Sequence, residues 1–258
     1  MSEMKKIDLN SDLGESFGNY KIGMDEEILP LITSANVACG FHASDPLVMS
    51  KTVALAKRHG VAVGAHPGYP DLVGFGRRNM DIKLEEITAM VMYQIGALKA
   101  FCVEKGISLQ HVKPHGAMYN MAEKDEDLAE AICKGIKAVD SRLILLGPGS
   151  GNMVKKAKEI GLRTAGEVFA DRAYMEDGSL VPRSQPGAMI EDEEEAVKRV
   201  LKMVQDGMVT AITGKEISVQ ADSICVHGDG EKALLFIKKI RAALEQANIE
   251  IVSMEEMV

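Results

Sequence analysis

Groups that move protons, bind metals or hold anions recur along this chain at the ends of short apolar runs. IDLNSDLGESFG, starting at Ile7, carries Asp8, Asn10, Asp12 and Glu15. ACGFHASDP carries His42 and Asp45, GAHPGYPD carries His66 and Asp71, and VKPHG carries Lys113 and His115. GEVFADR adds Glu167, Asp171 and Arg172, and VHGDG adds His227 and Asp229. Carboxylates and imidazoles are the usual acids and bases of hydrolytic chemistry. Lys113 and His115 pair an electrostatic stabiliser with a proton carrier if both side chains leave the same face of a strand. Pro114 between them limits regular pairing there. His42, His66 and Asp12 form a candidate His/His/carboxylate set for a divalent metal, with no local spacing motif to enforce it.

Each position also has a plain structural reading, because polar residues and glycines follow strands wherever helices are capped and turns made. Asp45 before Pro46 reads as an N-cap, Asp229 as a cap of the last helix, and His59 as a cation near a helix C-terminus. His111 is expected to be a satisfied core histidine, and the acidic run Glu191–Glu195 suits a helix start. GPGSGN (Gly147–Asn152) is glycine-rich but lacks the lysine and hydroxyl of a P-loop, which leaves a weak anion site of backbone N–H groups. Neither G-x-S-x-G nor H-E-x-x-H occurs, so serine-hydrolase and zincin chemistry lack support. What the plain readings leave unexplained is the repetition of titratable groups at one strand end after another.

Such groups converge only if the strands run parallel, so that their carboxyl ends share one face. Seven runs read as buried strands: Lys6–Leu9, Ser34–Cys39, Val61–Ala65, Leu109–Val112, Leu143–Leu146, Leu162–Val168 and Ser223–Val226. Ile249–Ser253 reads as an eighth, edge-like strand. Between them lie helical stripes, such as Ile87, Val91, Ile95, Leu98 and Cys102, and Val197, Val200, Leu201 and Val204 before a stop at Asp206-Gly207. Repeated β-then-α units imply either an open doubly wound sheet or a closed barrel. No linker or composition break appears, so residues 1–258 are expected to form one domain. The longest irregular stretch, Asp171–Ile190, is of a length that is usually functional.

Composition sets the outer bounds. The 258 residues are 46% hydrophobic and 26% charged, as in an ordinary globular protein. Thirty basic against 38 acidic residues give a net charge of −8, the wrong sign for a chain that binds nucleic acid through phosphates. Cys39, Cys102, Cys133 and Cys225 form no C-x-x-C pair and read as reduced, buried thiols. No signal peptide and no run of about 18 apolar residues is apparent, so a cytoplasmic protein without membrane or nucleic-acid partners is expected.

At these same residues the chain resembles a known family. IDLNSDLGESFG, ANVACGFHASDP, GAHPGYPDLVGFGR, HVKPHGAMYN, EVFADRAYMEDGSLVPRSQPGA and VHGDG, in that order from Ile7 to Gly230, closely resemble blocks of the LamB/YcsF family. Ser44 stands where the family's HAGDP-type motif has glycine, and serine before a helix is expected to be tolerable. The resemblance implies a single-domain, seven-stranded parallel β/α barrel, TIM-like and related to polysaccharide deacetylases. It implies ATP-dependent hydrolytic opening of 5-oxo-L-proline to L-glutamate together with partner subunits B and C. On that chemistry the partners phosphorylate the lactam oxygen, and this chain directs water to the ring carbon. Asp12 and Glu167 are then the first candidates for the base, with His66 behind them. Lys113 and His115 are candidates to stabilise charge on oxygen. Arg172 and Arg183 suit the substrate carboxylate, the latter from a loop with Ser184 and Gln185 that would close as a lid. Asn10, Glu15, Asp171, His227 and Asp229 complete the expected substrate-binding set. Two other readings remain: a metal-dependent deacetylase or amidase using Asp12, His42 and His66, and a non-catalytic substrate-binding subunit.

Overall fold

The computed structural model describes residues 4–226 and 231–258, the side chains of residues 231 and 232 apart. Six parallel strands follow one another around a barrel: β1 (Lys6–Leu13), β2 (Ser34–Ala38), β3 (Ala62–His66), β4 (Leu109–Val112), β5 (Ile144–Pro148) and β6 (Arg163–Phe169). The antiparallel hairpin β7 (Met208–Thr210)–β8 (Glu216–Ser218) lies outside the wall. The seventh wall strand, β9 (Ser223–Cys225), pairs with β6 on one side and with β1 on the other, in register Asp8↔Ser223 to Asn10↔Cys225. That double pairing closes the sheet. β10 (Glu250–Ile251) adds a short parallel ribbon to the start of β1. Helices surround the wall: α1 (Asp25–Ile28), α2 (Pro46–His59), α3 (Leu84–Lys105), α4 (Gly116–Ala122), α5 (Glu126–Val139), α6 (Asn152–Glu159), α7 (Glu193–Asp206) and α8 (Glu231–Gln246).

Strand β1 runs on to Leu13, beyond the apolar run that announces it. Ile7, Leu9 and Leu13 join the hydrophobic layer, while Asp8, Asn10 and Asp12 alternate with them and point into the barrel. These residues are therefore stacked through the depth of the barrel rather than gathered at a strand tip. Deepest is Asp8, which accepts bonds from Ser34 Oγ (2.6 Å), Thr33 Oγ1 (2.7 Å) and the Ser223 hydroxyl. Burial raises its pKa to about 6 despite those donors. One layer up, Asn36 Nδ2 donates to Asn10 Oδ1 (2.8 Å), and His111 Nε2 meets Asn36 Oδ1 at 2.7 Å. His111 is a bonded interior histidine, and burial lowers its pKa to about 3. Gly64 on β3 makes room for it, since a Cβ there would overlap the imidazole. The barrel is thus filled by a hydrogen-bonded polar column rather than by branched apolar side chains.

The helix signals are realised locally. Asp45 caps α2 by accepting from Leu47 N (2.8 Å) and Val48 N (3.0 Å), with Pro46 at the first turn. Ser44 before it has φ +74°, a left-handed conformation that favours glycine. Asp192 caps α7, three glutamates fill its first turn, and Gly207 at φ +66° ends it. α3 is the one described helix long and apolar enough to cross a bilayer, with mean hydropathy 1.2. Its stripe Ile87, Val91, Ile95, Leu98 and Cys102 is buried, however, and the helix packs along α5 as part of the barrel's outer ring.

Candidate functional site

β4 ends at Val112, but the strand's bonding to its β3 neighbour continues: Lys113 N donates to Ala65 O (2.9 Å) and His115 N to Pro67 O (2.8 Å). Pro114 falls between them, where no N–H is needed on that side. Lys113 and His115 therefore both turn toward the mouth of the barrel. Lys113 Nζ lies 2.6 Å from Glu167 Oε1, 3.1 Å from Asp12 Oδ1 and 3.3 Å from both Asn10 Oδ1 and Cys225 Sγ. Burial opposes its ammonium form, but the Asp12 and Glu167 carboxylates outweigh burial and hold its pKa well above the ordinary lysine value. The other oxygen of Glu167 accepts from Tyr119 Oη at 2.8 Å. Asp12 Oδ1 also accepts from Asn36 Nδ2 at 2.8 Å. The two acids differ in access: the Asp12 side chain is 20% exposed, that of Glu167 0%.

Beside this centre three imidazoles cluster. His66 Nδ1 is 2.6 Å from the Lys113 carbonyl oxygen and His115 Nε2 is 2.8 Å from that of Phe75. The inner nitrogens, His66 Nε2 and His115 Nδ1, are 3.0 Å apart in rings at 90°. His42 stacks on His115 at 3.6 Å with rings 3° from parallel, and its Nε2 is 3.3 Å from Glu15 Oε1. Burial lowers the pKa of His115 to about 3 and takes that of His42 well below the ordinary value. His66 moves the other way: burial is outweighed by Asp12, whose Oδ2 is 3.4 Å from Nε2. Gly76, at φ +63°, packs against this stack, and a Cβ there would meet His42 Cβ at 2.6 Å. Glu15, His42, His66 and His115 each present a ligand atom within 4.8 Å of the others, so the cluster can hold a metal ion. This membership differs from the Asp12, His42 and His66 set by adding Glu15 and His115 in place of Asp12, whose Oδ1 is engaged with Lys113 and Asn36 and whose Oδ2 faces His66.

Both groups open into a cavity of about 600 Å³. Asp12, Glu15, His66, Lys113 and His115 line its inner end, and Arg172 and Arg183 stand among its lining on the segment after β6. Arg172 is buried and donates from Nη2 to Val181 O (2.6 Å), while Arg183 is exposed at the rim. The 171–190 segment carries two antiparallel bridges, Arg172↔Met189 and Tyr174↔Leu180, and a small apolar cluster of Ala173, Val181 and Ala188. The expected anion site at GPGSGN is taken by the protein itself. The Glu123 carboxylate accepts from Asn152 N (2.9 Å) and Met153 N (3.4 Å) at the start of α6, and burial raises its pKa to about 7.

Asn10 and Glu167 lie behind Lys113 rather than in the cavity wall, and His42 lies behind His115. Asp171 is not in the wall either; it stands near Arg172 and favours its charge. The His115 ring proton is directed at Phe75 O, so Lys113 is the cationic donor of the pair. His227 and Asp229 lie outside the described residues. Tyr119, Glu123 and Arg77 also line the cavity, and sequence reasoning passed over them. The signal available for Tyr119 and Glu123 was their i, i+4 spacing on the helix directly after VKPHG.

A family model described as LamB/YcsF family matches residues 7–258. A curated relative from Clostridium beijerinckii, named as the A subunit of 5-oxoprolinase, is 63% identical over 254 residues, covering 98% of this chain and 100% of its own. One of the same name from Bacillus subtilis is 57% identical over 253 residues, 98% of each chain. The crystal structure of a lactam utilization protein from Thermus thermophilus superposes with a TM-score of 0.91 at 50% identity, covering 96% of this chain and 99% of that one.

Proposed function

The chain belongs to the LamB/YcsF family, and from that premise we propose that it is the ring-opening subunit of a 5-oxoprolinase. It converts 5-oxo-L-proline to L-glutamate in a cytoplasmic assembly with partner subunits B and C. The observation that carries the reading is Lys113, a buried, permanently charged ammonium at the floor of a cavity, flanked by a carboxylate that meets solvent. Hydrolysis of a cyclic amide needs a base for water and a fixed positive charge for the oxyanion. The names shared by the relatives supply the lactam.

A lactam is resonance-stabilised and its nitrogen leaves poorly, so activation by ATP is chemically reasonable. The chain carries no P-loop sequence, which suits phosphorylation of the lactam oxygen on the partners. Asp12 takes a proton from water as the water oxygen bonds to the ring carbon. The phosphorylated oxygen gains no charge in this step, so Lys113 stabilises the oxygen added from water as it loses its second proton. The C–N bond breaks, the ring nitrogen takes up a proton, and an acyl phosphate forms. A second water then releases phosphate and L-glutamate. Glu167 and Asn10 hold Lys113 in place, with Tyr119 in turn fixing Glu167. Arg172 and Arg183 bind the substrate carboxylate and phosphoryl group, for which the cavity leaves room beyond the five-membered ring.

The test is glutamate release from 5-oxoproline by the purified chain, with and without ATP and the two partner subunits. Turnover only in the complete ATP-supplied mixture is expected. No turnover in any combination, with the partners proven active beside the homologous chain of another 5-oxoprolinase, would overturn the reading.

A further inference from the structure

We infer that His66, His115 and Glu15 bind one divalent transition-metal ion at the barrel mouth, with His42 outside the coordination sphere. Hydrogen-bond direction fixes the tautomers. Carbonyl oxygens only accept, so His66 carries a proton on Nδ1, facing Lys113 O at 2.6 Å, and His115 carries one on Nε2, facing Phe75 O at 2.8 Å. In neutral rings this leaves lone pairs on His66 Nε2 and His115 Nδ1. Those two atoms face each other at 3.0 Å, and Glu15 Oε1 lies 3.7 Å from the second. Nitrogen and oxygen acceptors gathered so closely need a positive centre between them, either a proton on His66 Nε2, which Asp12 favours, or a metal ion that displaces that proton.

The surroundings suit a metal ion as that centre. Metal-bound histidines typically donate their remote N–H to a backbone carbonyl, which fixes tautomer and ring orientation, and both rings do so. Ligand atoms of a tetrahedral zinc with bonds of about 2.0–2.1 Å stand about 3.3 Å apart. The separations of 3.0 and 3.7 Å straddle that value. His42 fails the geometry: its ring is parallel to that of His115 at 3.6 Å, so an ion in the plane of one is out of the plane of the other. Its Nε2 instead meets Glu15 Oε1 at 3.3 Å and orients that carboxylate. Asp12 Oδ2, 3.4 Å from His66 Nε2, flanks the remaining position, and the cavity gives an ion access. Two imidazoles with carboxylate favour zinc and its neighbours over calcium or magnesium. These ligands are set by the chain's own packing, whichever substrate the cavity takes.

The full chain, freed of metal with a chelator, is titrated with zinc chloride by calorimetry and followed by histidine-side-chain nitrogen NMR. One zinc per chain is expected. His66 Nε2 and His115 Nδ1 should move to metal-bound shifts while the opposite N–H groups and the His42 signals are retained. His66→Gln and His115→Gln should each weaken binding by on the order of 100-fold or more, and His42→Gln by about tenfold. Two results would overturn the site. One is no saturable binding of zinc, cobalt or manganese below roughly millimolar concentration by a chain with a normal melting curve. The other is a proton shared between His66 and His115 that zinc does not displace. Movement of the His42 nitrogens to metal-bound shifts would overturn the ligand set.

Discussion

Lys113 is shared by two carboxylates, and their unequal exposure divides their work. Asp12, which reaches the cavity, is the group that can meet water; Glu167, closed in by Lys113 and the Tyr119 hydroxyl, can only position. Asp12→Asn keeps the side-chain volume and is expected to lower turnover of the assembled enzyme by about 10²–10⁴-fold, with the melting temperature little changed. Near-normal turnover in Asp12→Asn and in Lys113→Ala would remove both roles. Tyr119→Phe takes away one of the donors that make a buried Glu167 tolerable. It should destabilise the chain by about 1–3 kcal/mol in urea unfolding, with the loss rescued in part by adding Glu167→Gln. If Tyr119→Phe unfolds like the parent chain, the hydroxyl does not support Glu167.

At the scale of elements, the turn into α2 shows where a local rule is broken. Ser44 occupies φ +74°, where a side chain is strained, yet Asp45 and Pro46 immediately after it form a well-made helix start. Ser44→Gly relieves the strain at the cost of extra freedom in the unfolded chain. The net expectation is a gain of about 1 kcal/mol, seen as a rise of roughly 2–4 °C in melting temperature. An unchanged or lower melting temperature would mean that the turn accommodates serine without strain. The start of α6 shows the complementary case. Its backbone N–H groups look free in the sequence, and only the approach of α4 shows that Glu123 already fills them.

For the molecule as a whole, the polar column inside the barrel makes stability depend on pH in two opposing ways. Asp8 titrates near 6 when folded against an ordinary 3.8, so its contribution is full below about pH 3.8 and is lost as pH rises through 6. Its size is about 3 kcal/mol. His111 titrates near 3 against an ordinary 6.5, so its contribution is present above about pH 6.5 and is lost as pH falls toward 3. The full span is about 5 kcal/mol. Between pH 7 and 4 the two offset each other. Asp8→Asn should therefore make stability fall more steeply with acid than in the parent chain, and His111→Gln should make it fall less steeply. Parallel pH slopes for all three proteins, measured by urea unfolding, would show that the column does not titrate in this range.

The positions of all seven wall strands, the N-cap at Asp45, the buried stripe of α3 and the interior place of His111 were legible in the sequence. Each is written in nearest-neighbour chemistry, as alternation, helical spacing or a capping residue before proline. β1 was read too short for a related reason: its inward residues are polar, and nothing local reveals that Ser34, Asn36 and Ser223 await them on the neighbouring strands β2 and β9. The residue pattern left an open sheet and a closed barrel both possible, and the barrel was legible only through the family resemblance. The closing contact itself is tertiary, since the bond from Ser223 to Asp8 joins residues 215 apart. The tertiary structure also decided that Glu15 and His115 stand with His66, and which nitrogen of each ring faces inward. Those choices are made by the carbonyl oxygens of Phe75 and Lys113. Their directions follow from how the strand ends and loops pack, and no periodicity in the chain records them.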